Sequence, residues 1–270
     1  MSESRIHPSA VIDPAARIGD GVRIGPFCVI GPNARIGDGC ELLSHVVVEG
    51  YTTIGERNRI FPFASIGHQP QDLKYHGEAS EVIIGDDNTI REGVTINPGT
   101  EGGGMLTKIG SHNLLMAYSH VAHDCLLGNQ VILANGATLA GHVEIEDGVI
   151  LGGHAAVLQF VRIGRYAMIG GTAGITKDVP PFCLTSGGYR PGLAGLNLVG
   201  LRRRQFSNDQ IKDLKSIYRL LFQASGSMED RLEEAGRIAG EDAQAMHLLQ
   251  FVRSAKRGIL LHRRDSRASE

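Results

Sequence analysis

Branched aliphatic residues recur at every sixth position from Ile6 to Ile66, with Ile12, Ile18, Ile24, Ile30, Ile36, Leu42, Val48, Ile54 and Ile60 between them. The run breaks at GHQPQDLKYHGEAS, resumes in phase at Ile84, Ile90 and Ile96, and breaks again at NPGTEGGGML. Shifted once, it continues from Ile109 through Leu115, Val121, Leu127, Leu133, Leu139, Ile145, Leu151, Val157, Ile163 and Ile169 to Ile175. A period of six fits neither the turn of a helix nor hairpin strands joined by turns. It fits short strands separated by corners, each strand sending one aliphatic side chain inward. Three strands close a coil of 18 residues, so residues 18 apart lie one strand spacing apart, about 4.8 Å. The predicted fold class is mainly β, a parallel β-helix whose handedness the spacing leaves open. Glycine directly after the aliphatic, at 19, 25, 31, 37, 55 and 67, predicts a corner conformation that a side chain would hinder.

A solenoid accommodates insertions only as loops projecting from one side, and such loops often bind ligands. The two interruptions therefore predict projecting loops over 67–82 and 97–107, with QDLKY and PGTEGGG as candidate contact segments. Cys28, Cys40 and Cys125 each stand four residues after a repeat aliphatic, an inward slot that makes them core fillers rather than nucleophiles. With Cys183 they show no CxxC spacing, which predicts reduced thiols. After Pro180-Pro181 the period stops. A glycine-rich linker over 186–195 precedes FSNDQIKDLKSIYRLLFQ, where Ser207 is the expected N-cap and Ile211, Leu214, Ile217, Leu220 and Leu221 form one helical stripe. SMEDRLEEAGRIAG and EDAQAMHLLQFVRSAKRGILL predict further helical segments, and LHRRDSRASE a frayed tail. The expected organisation is a β-helix over 1–185 and a linker with an α-helical C-terminal domain over 186–270.

Composition sharpens this picture. Among 270 residues, 36 are glycine and none is tryptophan, which suits tight corners around a narrow aliphatic core. A net charge of −2 supplies no overall basic field for nucleic acid or an anionic membrane. The N-terminus lacks the basic head and apolar run of a signal peptide, and no stretch of about 18 apolar residues predicts a spanning helix. The expectation is a cytoplasmic protein with no integral membrane contact.

The segment AYSHVAHDCLLG concentrates reactive side chains. By the 18-residue rule His123 stacks with Gly141 and Gln159, while Asp124 stacks with His142. A histidine beside a carboxylate and a side-chainless backbone supplies a general base, a partner that fixes its tautomer, and an N–H donor for a developing oxyanion. Inert polar decoration of an outward face is the plain alternative, against which stand four histidines, at 120, 123, 142 and 154, within 35 residues. A zinc site is the other alternative, and the spacing does not exclude it. The RRR run at 202–204 fits a solvated helix start or a phosphate contact equally well.

The hexad pattern resembles the left-handed β-helix of the hexapeptide-repeat acyltransferases. IGPFCVIGPNARIGDG, SHVVVEG, FASIGHQPQDLKYHGE, IREGVTINPGTEGGG, NLLMAYSHVAHDC, ILANGATLAGHV and DVPPF look more narrowly like the acyl-carrier-protein-dependent UDP-N-acetylglucosamine O-acyltransferases that begin lipid A synthesis. The similarity runs nearly end to end. It implies a homotrimer with active sites between subunits, an acyl donor on the phosphopantetheine of acyl carrier protein, a UDP-sugar acceptor, and no metal or organic cofactor. It implies His123 as general base, Asp124 as its orienter and Gly141 as the backbone oxyanion donor. Asp72, Lys74, His120, His142 and Gln159 match positions near the nucleotide sugar, Asn197, Arg203 and Arg204 positions near the nucleotide, and Gly171 the acyl-chain ruler, although a simple corner glycine fits Gly171 equally well. Three departures stand out: Leu158 replaces an expected histidine, Asn97-Pro98 an expected His-Arg, and Val199 an expected glutamate. They leave open a 3-amino acceptor, with an amide product. A zinc-dependent enzyme on the same scaffold is the alternative of a different class.

Overall fold

In the computed structural model, which describes residues 5–262, the sixfold period closes into a left-handed parallel β-helix with three faces. Face 1 has 11 strands from Arg5–Ile6 to Leu193–Leu196, face 2 has nine from Val11–Ile12 to Gly174–Ile175, and face 3 has eight from Arg17–Ile18 to Arg162–Ile163. Register follows the predicted column: Ile6 pairs with Ile24, Ile12 with Ile30 and Ile18 with Ile36. Each hexad fills the prism twice, with the repeat aliphatic and with the residue two before it, as Val22, Cys28, Ala34, Cys40 and Val46 show by their burial. Burial raises the Cys125 thiol to about 12, so this cysteine is a packed hydrophobe and not a nucleophile. Among the described residues the first coil departs from the inward pattern, with Ile6 46% exposed at the end of the prism.

The corner glycines have a different role from the predicted one. Left-handed backbone falls three residues after the aliphatic, at positions such as Phe27, His45, Arg57, Asp124 and His142, and mostly not at glycine. Of the glycines directly after an aliphatic in the first hexads, Gly67 alone has positive φ. Gly19, Gly25, Gly37 and Gly55 are required by the next coil, whereas a Cβ on Gly31 would meet only the end of the Glu49 side chain: a Cβ on Gly25 would meet the Leu43 carbonyl oxygen at 2.7 Å, and one on Gly37 the Gly55 carbonyl oxygen at 2.6 Å. Close stacking of coils, not torsional freedom, explains them.

Both insertions leave from the corner between faces 2 and 3. The first connects Ser65–Ile66 to Glu81–Ile84, and the second connects Thr95–Ile96 to Leu106–Ile109. The next coil places Asp124 at that same corner, followed by His142 and Phe160. Two loops and three coils of side chains thus share one edge of the prism.

Beyond the last full coil, Cys183–Thr185 extends face 1, and Leu193–Leu196 pairs with it antiparallel, so the stretch read as a linker contains a sheet strand. Four helices follow: α1 (Leu198–Arg203), α2 (Asn208–Gln223), α3 (Met228–Ala239) and α4 (Ala243–Arg253). Ser207 caps α2 in a reciprocal box with Gln210, and the predicted stripe is buried apart from Leu220, which is partly exposed. The third helical segment stops at Arg253; the chain then crosses Asp178, which receives the Leu260 N–H through its carbonyl. Leu261 accepts a backbone bond from Leu193, and His262 lies 2.7 Å from the Tyr218 hydroxyl, so the start of the expected tail is docked. Residues 263–270 lie outside the described residues. Arg162 holds α4 to the β-helix, bonding Asp178 at 3.2 Å and stacking on Phe251 at 4.5 Å. Among the described residues no helix is long and apolar enough to cross a membrane.

Candidate active site

The corner between faces 2 and 3 turns a short sequence motif into a preassembled dyad. The His123 Nδ1 lies 2.8 Å from Asp124 Oδ2, and the Asp124 side chain has no solvent exposure. An ionised carboxylate only accepts, so Nδ1 carries the proton and Nε2 keeps the lone pair. That second nitrogen faces Asp72, whose Oδ2 is 3.9 Å away on the first loop. Gly141 lies against the ring, because a Cβ there would meet His123 Cε1 at 2.4 Å and Nε2 at 2.5 Å. Among the described residues the Gly141 amide has no acceptor, although its carbonyl accepts from Phe160.

His142 completes the cluster. Its ring stands edge-on to His123 with centroids 5.0 Å apart and stacks on Phe160 at 4.3 Å. Burial holds His142 below the ordinary imidazole value, against the opposing pull of Asp124. His120 lies on the adjoining strand, where its Nδ1 is 2.6 Å from Thr95 Oγ1 and burial again lowers its affinity for protons. Both rings are therefore neutral hydrogen-bonding groups at neutral pH. A cavity of about 580 Å³ opens beside Asp124, His142 and Phe160 and runs to Arg162, Lys256 and Arg257.

His123, Asp124 and His142 also bring three potential ligand atoms within 4.8 Å of one another. Their chemistry fits an acid–base dyad better than a metal centre. Asp124 Oδ1 already accepts from the Thr100 N–H, and Oδ2 from both the Thr100 hydroxyl and His123. A cation between these groups would have to displace the proton on Nδ1.

The sequence-predicted residues do not meet in one place. Asp72, His120, His123, Asp124, Gly141, His142 and Gln159 gather at or beside the corner of faces 2 and 3, with Gln159 exposed. Lys74 is exposed on the same loop as Asp72. Gly171 lies at the corner of faces 1 and 2, and a Cβ there would approach nothing closer than 3.4 Å, so the backbone does not demand glycine. Arg204 belongs to the third corner, stacking on Tyr166 at 4.6 Å and donating to the Gly148 carbonyl at 2.9 Å. Asn197 caps α1 through Oδ1 and donates from Nδ2 to the Tyr166 carbonyl, while Arg203 is exposed.

One of the unusual residues gains an explanation. Asn97 is buried and donates to the carbonyls of His68 and Gln69, tying the second loop to the start of the first. Leu158 and Val199 are exposed apolar side chains, and nothing in the chain explains either. The stacking rule did not reach Thr100 or Gly103, which surround Asp124, because insertions break column arithmetic, whereas Thr107 stands in register with Cys125, the neighbour of Asp124. Phe160, 18 residues beyond His142, was within its reach.

A sequence profile described as UDP N-acetylglucosamine O-acyltransferase, domain 2, matches residues 178–260. One described as bacterial transferase hexapeptide (six repeats) matches 15–50 and 106–141. An acyl-(acyl-carrier-protein)–UDP-N-acetylglucosamine O-acyltransferase of Halorhodospira halophila is 48% identical over 257 residues, 95% of this chain and 99% of that protein. Its counterpart from Nautilia profundicola is 48% identical over 207 residues, 77% of this chain and 79% of that one. The solved structure of LpxA from Acinetobacter baumannii superposes with a TM-score of 0.92 at 44% identity, covering 94% of this chain and 99% of its own.

Proposed function

Since the chain belongs to the family of acyl-carrier-protein-dependent UDP-N-acetylglucosamine O-acyltransferases, we propose how its residues divide the work of that reaction. The enzyme transfers a 3-hydroxyacyl chain from acyl carrier protein to the 3-hydroxyl of UDP-N-acetylglucosamine, the first step of lipid A synthesis. His123 Nε2 takes the proton of the sugar hydroxyl, whose oxygen attacks the thioester carbonyl. The Gly141 N–H donates to the oxyanion of the tetrahedral intermediate. Collapse breaks the C–S bond, and His123 returns its proton to the departing sulfur of the phosphopantetheine arm. Asp124 holds the tautomer throughout. Every proton and charge in this sequence comes from the polypeptide or its two substrates, so the mechanism calls for no metal and no organic cofactor.

Asp72, Lys74, His120, His142 and Gln159 surround the sugar in this reading. Arg203 meets the nucleotide directly, while Asn197 and Arg204 hold the end of α1 that presents it. The three residue groups stand on three different corners of one prism, so a complete site needs neighbouring protomers. This favours a homotrimer in which one subunit supplies the base, and others supply the acyl groove at Gly171 and the nucleotide contacts. The openness around Gly171 favours its role as chain-length ruler, since a larger side chain would project into that groove. Carrier-protein thioesters and nucleotide sugars are soluble metabolites, which favours the cytoplasm.

The observation that carries the mechanism is the His123–Asp124 pair with Gly141 against its ring. Purified enzyme is incubated with 3-hydroxyacyl carrier proteins of several lengths and with the 3-hydroxyl and 3-amino nucleotide sugars, with and without chelator. An ester product, unaffected by chelator, is expected, and His123→Ala should lose about 10²-fold or more in kcat. Wild-type rates from His123→Ala would remove His123 as the base. A sedimentation mass other than three chains would remove the trimer.

A further inference from the structure

We propose that Thr100 is the positioning residue of the catalytic base, and that the glycine run after it roofs the carboxylate through which it acts. The inference rests on the assignment of His123 and Asp124 above. Thr100 is buried and grips both oxygens of Asp124: its N–H donates to Oδ1 at 2.9 Å and its hydroxyl to Oδ2 at 2.6 Å. Oδ2 is the same oxygen that receives the His123 Nδ1 proton at 2.8 Å. The returning end of the loop holds the backbone of the same residue, because the Asp124 N–H donates to the buried Thr107 hydroxyl at 2.8 Å. One loop thus fixes Asp124 at side chain and main chain together.

Gly103 closes the roof. A Cβ there would stand 2.0 Å from the Asp124 Cγ and 2.2 and 2.3 Å from its two oxygens. Gly103 has no left-handed backbone, so the glycine is demanded by the carboxylate beneath it and not by its own torsions. The Glu101 N–H donates to Glu78 Oε1 at 3.2 Å, joining this loop to the one that carries Asp72. Thr100 therefore acts on Nδ1 through Asp124, while the neighbouring loop brings Asp72 towards Nε2.

The hydroxyl also has an electrostatic effect. A proton donated to Oδ2 draws charge away from the side of the carboxylate that faces the imidazole. Without it, Asp124 keeps more of its charge on the side facing His123 and holds a protonated ring more strongly. The charged and titratable groups facing His123 are Asp124, Asp72, His142 and His120. Among the described residues none of the other three shares a hydrogen bond with Thr100, so the loss of its hydroxyl reaches His123 through Asp124.

The test uses the full-length enzyme and the carrier-protein assay. Thr100→Val keeps the shape and removes the hydroxyl; Thr100→Ser restores it. Thr100→Val should lower kcat about ten-fold to a hundred-fold, with KM for the nucleotide sugar within about two-fold. The acid limb of its kcat/KM profile should move to higher pH. Thr100→Ser should recover both the rate and the limb. Gly103→Ala should lower kcat to a similar or greater degree while circular dichroism and Tm stay near wild type. A Thr100→Val rate that falls with no movement of the acid limb would reduce Thr100 to a structural role, as would failure of serine to restore it. Wild-type kinetics in both valine and alanine variants would overturn the proposal. Retained activity in His123→Ala instead overturns the reading on which it rests, so the two failures are distinguishable.

Discussion

Replacing Gly141 by alanine adds one methyl group at the point where the chain passes over the His123 ring. Its Cβ would lie 2.4 Å from His123 Cε1 and 2.5 Å from Nε2, whereas carbon atoms in contact settle at about 3.5 Å. The imidazole must therefore retreat by about 1 Å, or the corner must open by as much. The ring is tied through Nδ1 to Asp124, itself clamped by Thr100, so a shift of the imidazole strains that 2.8 Å bond and turns Nε2 away from its place. A displacement of about 1 Å at a reacting group costs about 10²-fold in rate. Alanine keeps the backbone N–H, so the proposed oxyanion donor survives and the expected loss falls on His123, the proposed base. Gly141 has no left-handed backbone, so the variant should fold with a Tm close to wild type. Steady-state kinetics of Gly141→Ala with a 3-hydroxyacyl carrier protein should show kcat down about 10²-fold. A variant retaining more than half the wild-type kcat would refute the steric argument, because its extra methyl would have been absorbed without moving His123.

Three further outcomes follow from other parts of the fold. His120 and His142 are held below the ordinary value of 6.5 by burial, so the unfolded chain binds their protons more readily than the native one. Their contribution to stability is fully present above 6.5 and is lost as pH falls towards the lower folded values; urea denaturation from pH 7 to pH 5 should show the decline, and His142→Gln should flatten it. Arg204→Ala, which removes the stack on Tyr166 and the bond to the Gly148 carbonyl, should cost about 1–2 kcal/mol in denaturant unfolding, against under about 0.5 kcal/mol for exposed Arg203→Ala. All four cysteines are buried and free, and Cys125 is raised to about 12, so native enzyme should resist iodoacetamide and Cys125→Ala should keep nearly full activity. Rapid alkylation with loss of activity would contradict that packing.

The coil register was legible in the sequence because each inward aliphatic reports a purely local choice, and His123–Gly141 emerged from that register by counting. The meaning of the corner glycines was not legible. A glycine needed for its torsions and one needed for its neighbour look alike, and only the stacked carbonyl above Gly25 or Gly37 separates them. Thr100 lies in the candidate contact segment PGTEGGG, but its partner is 24 residues away across an insertion, where no period carries information. Asn97 looked like a lost polar contact, yet its side chain spans to the backbone of the other loop. Asn197 and Arg204 were visible as polar residues near a helix start, while their cap and stack depend on Tyr166 from a different coil.

Because both loops leave from the edge that later carries Asp124, the molecule behaves like a combination lock with a pitch of one coil. Removing 18 residues from the first coils would shorten the column and leave every tumbler aligned. Removing a single hexad between Ile109 and Leu115 would turn all that follows by one face, carrying His123 to a different edge from the loops that clamp it. Such a chain could still fill its core, since every face presents the same aliphatic row. It would fold into a sound prism with its chemistry dialled to the wrong side. Length changes in this scaffold are therefore expected to be quantised: deleting a whole coil below the site should spare activity, whereas deleting a third of a coil should abolish activity before it abolishes the fold.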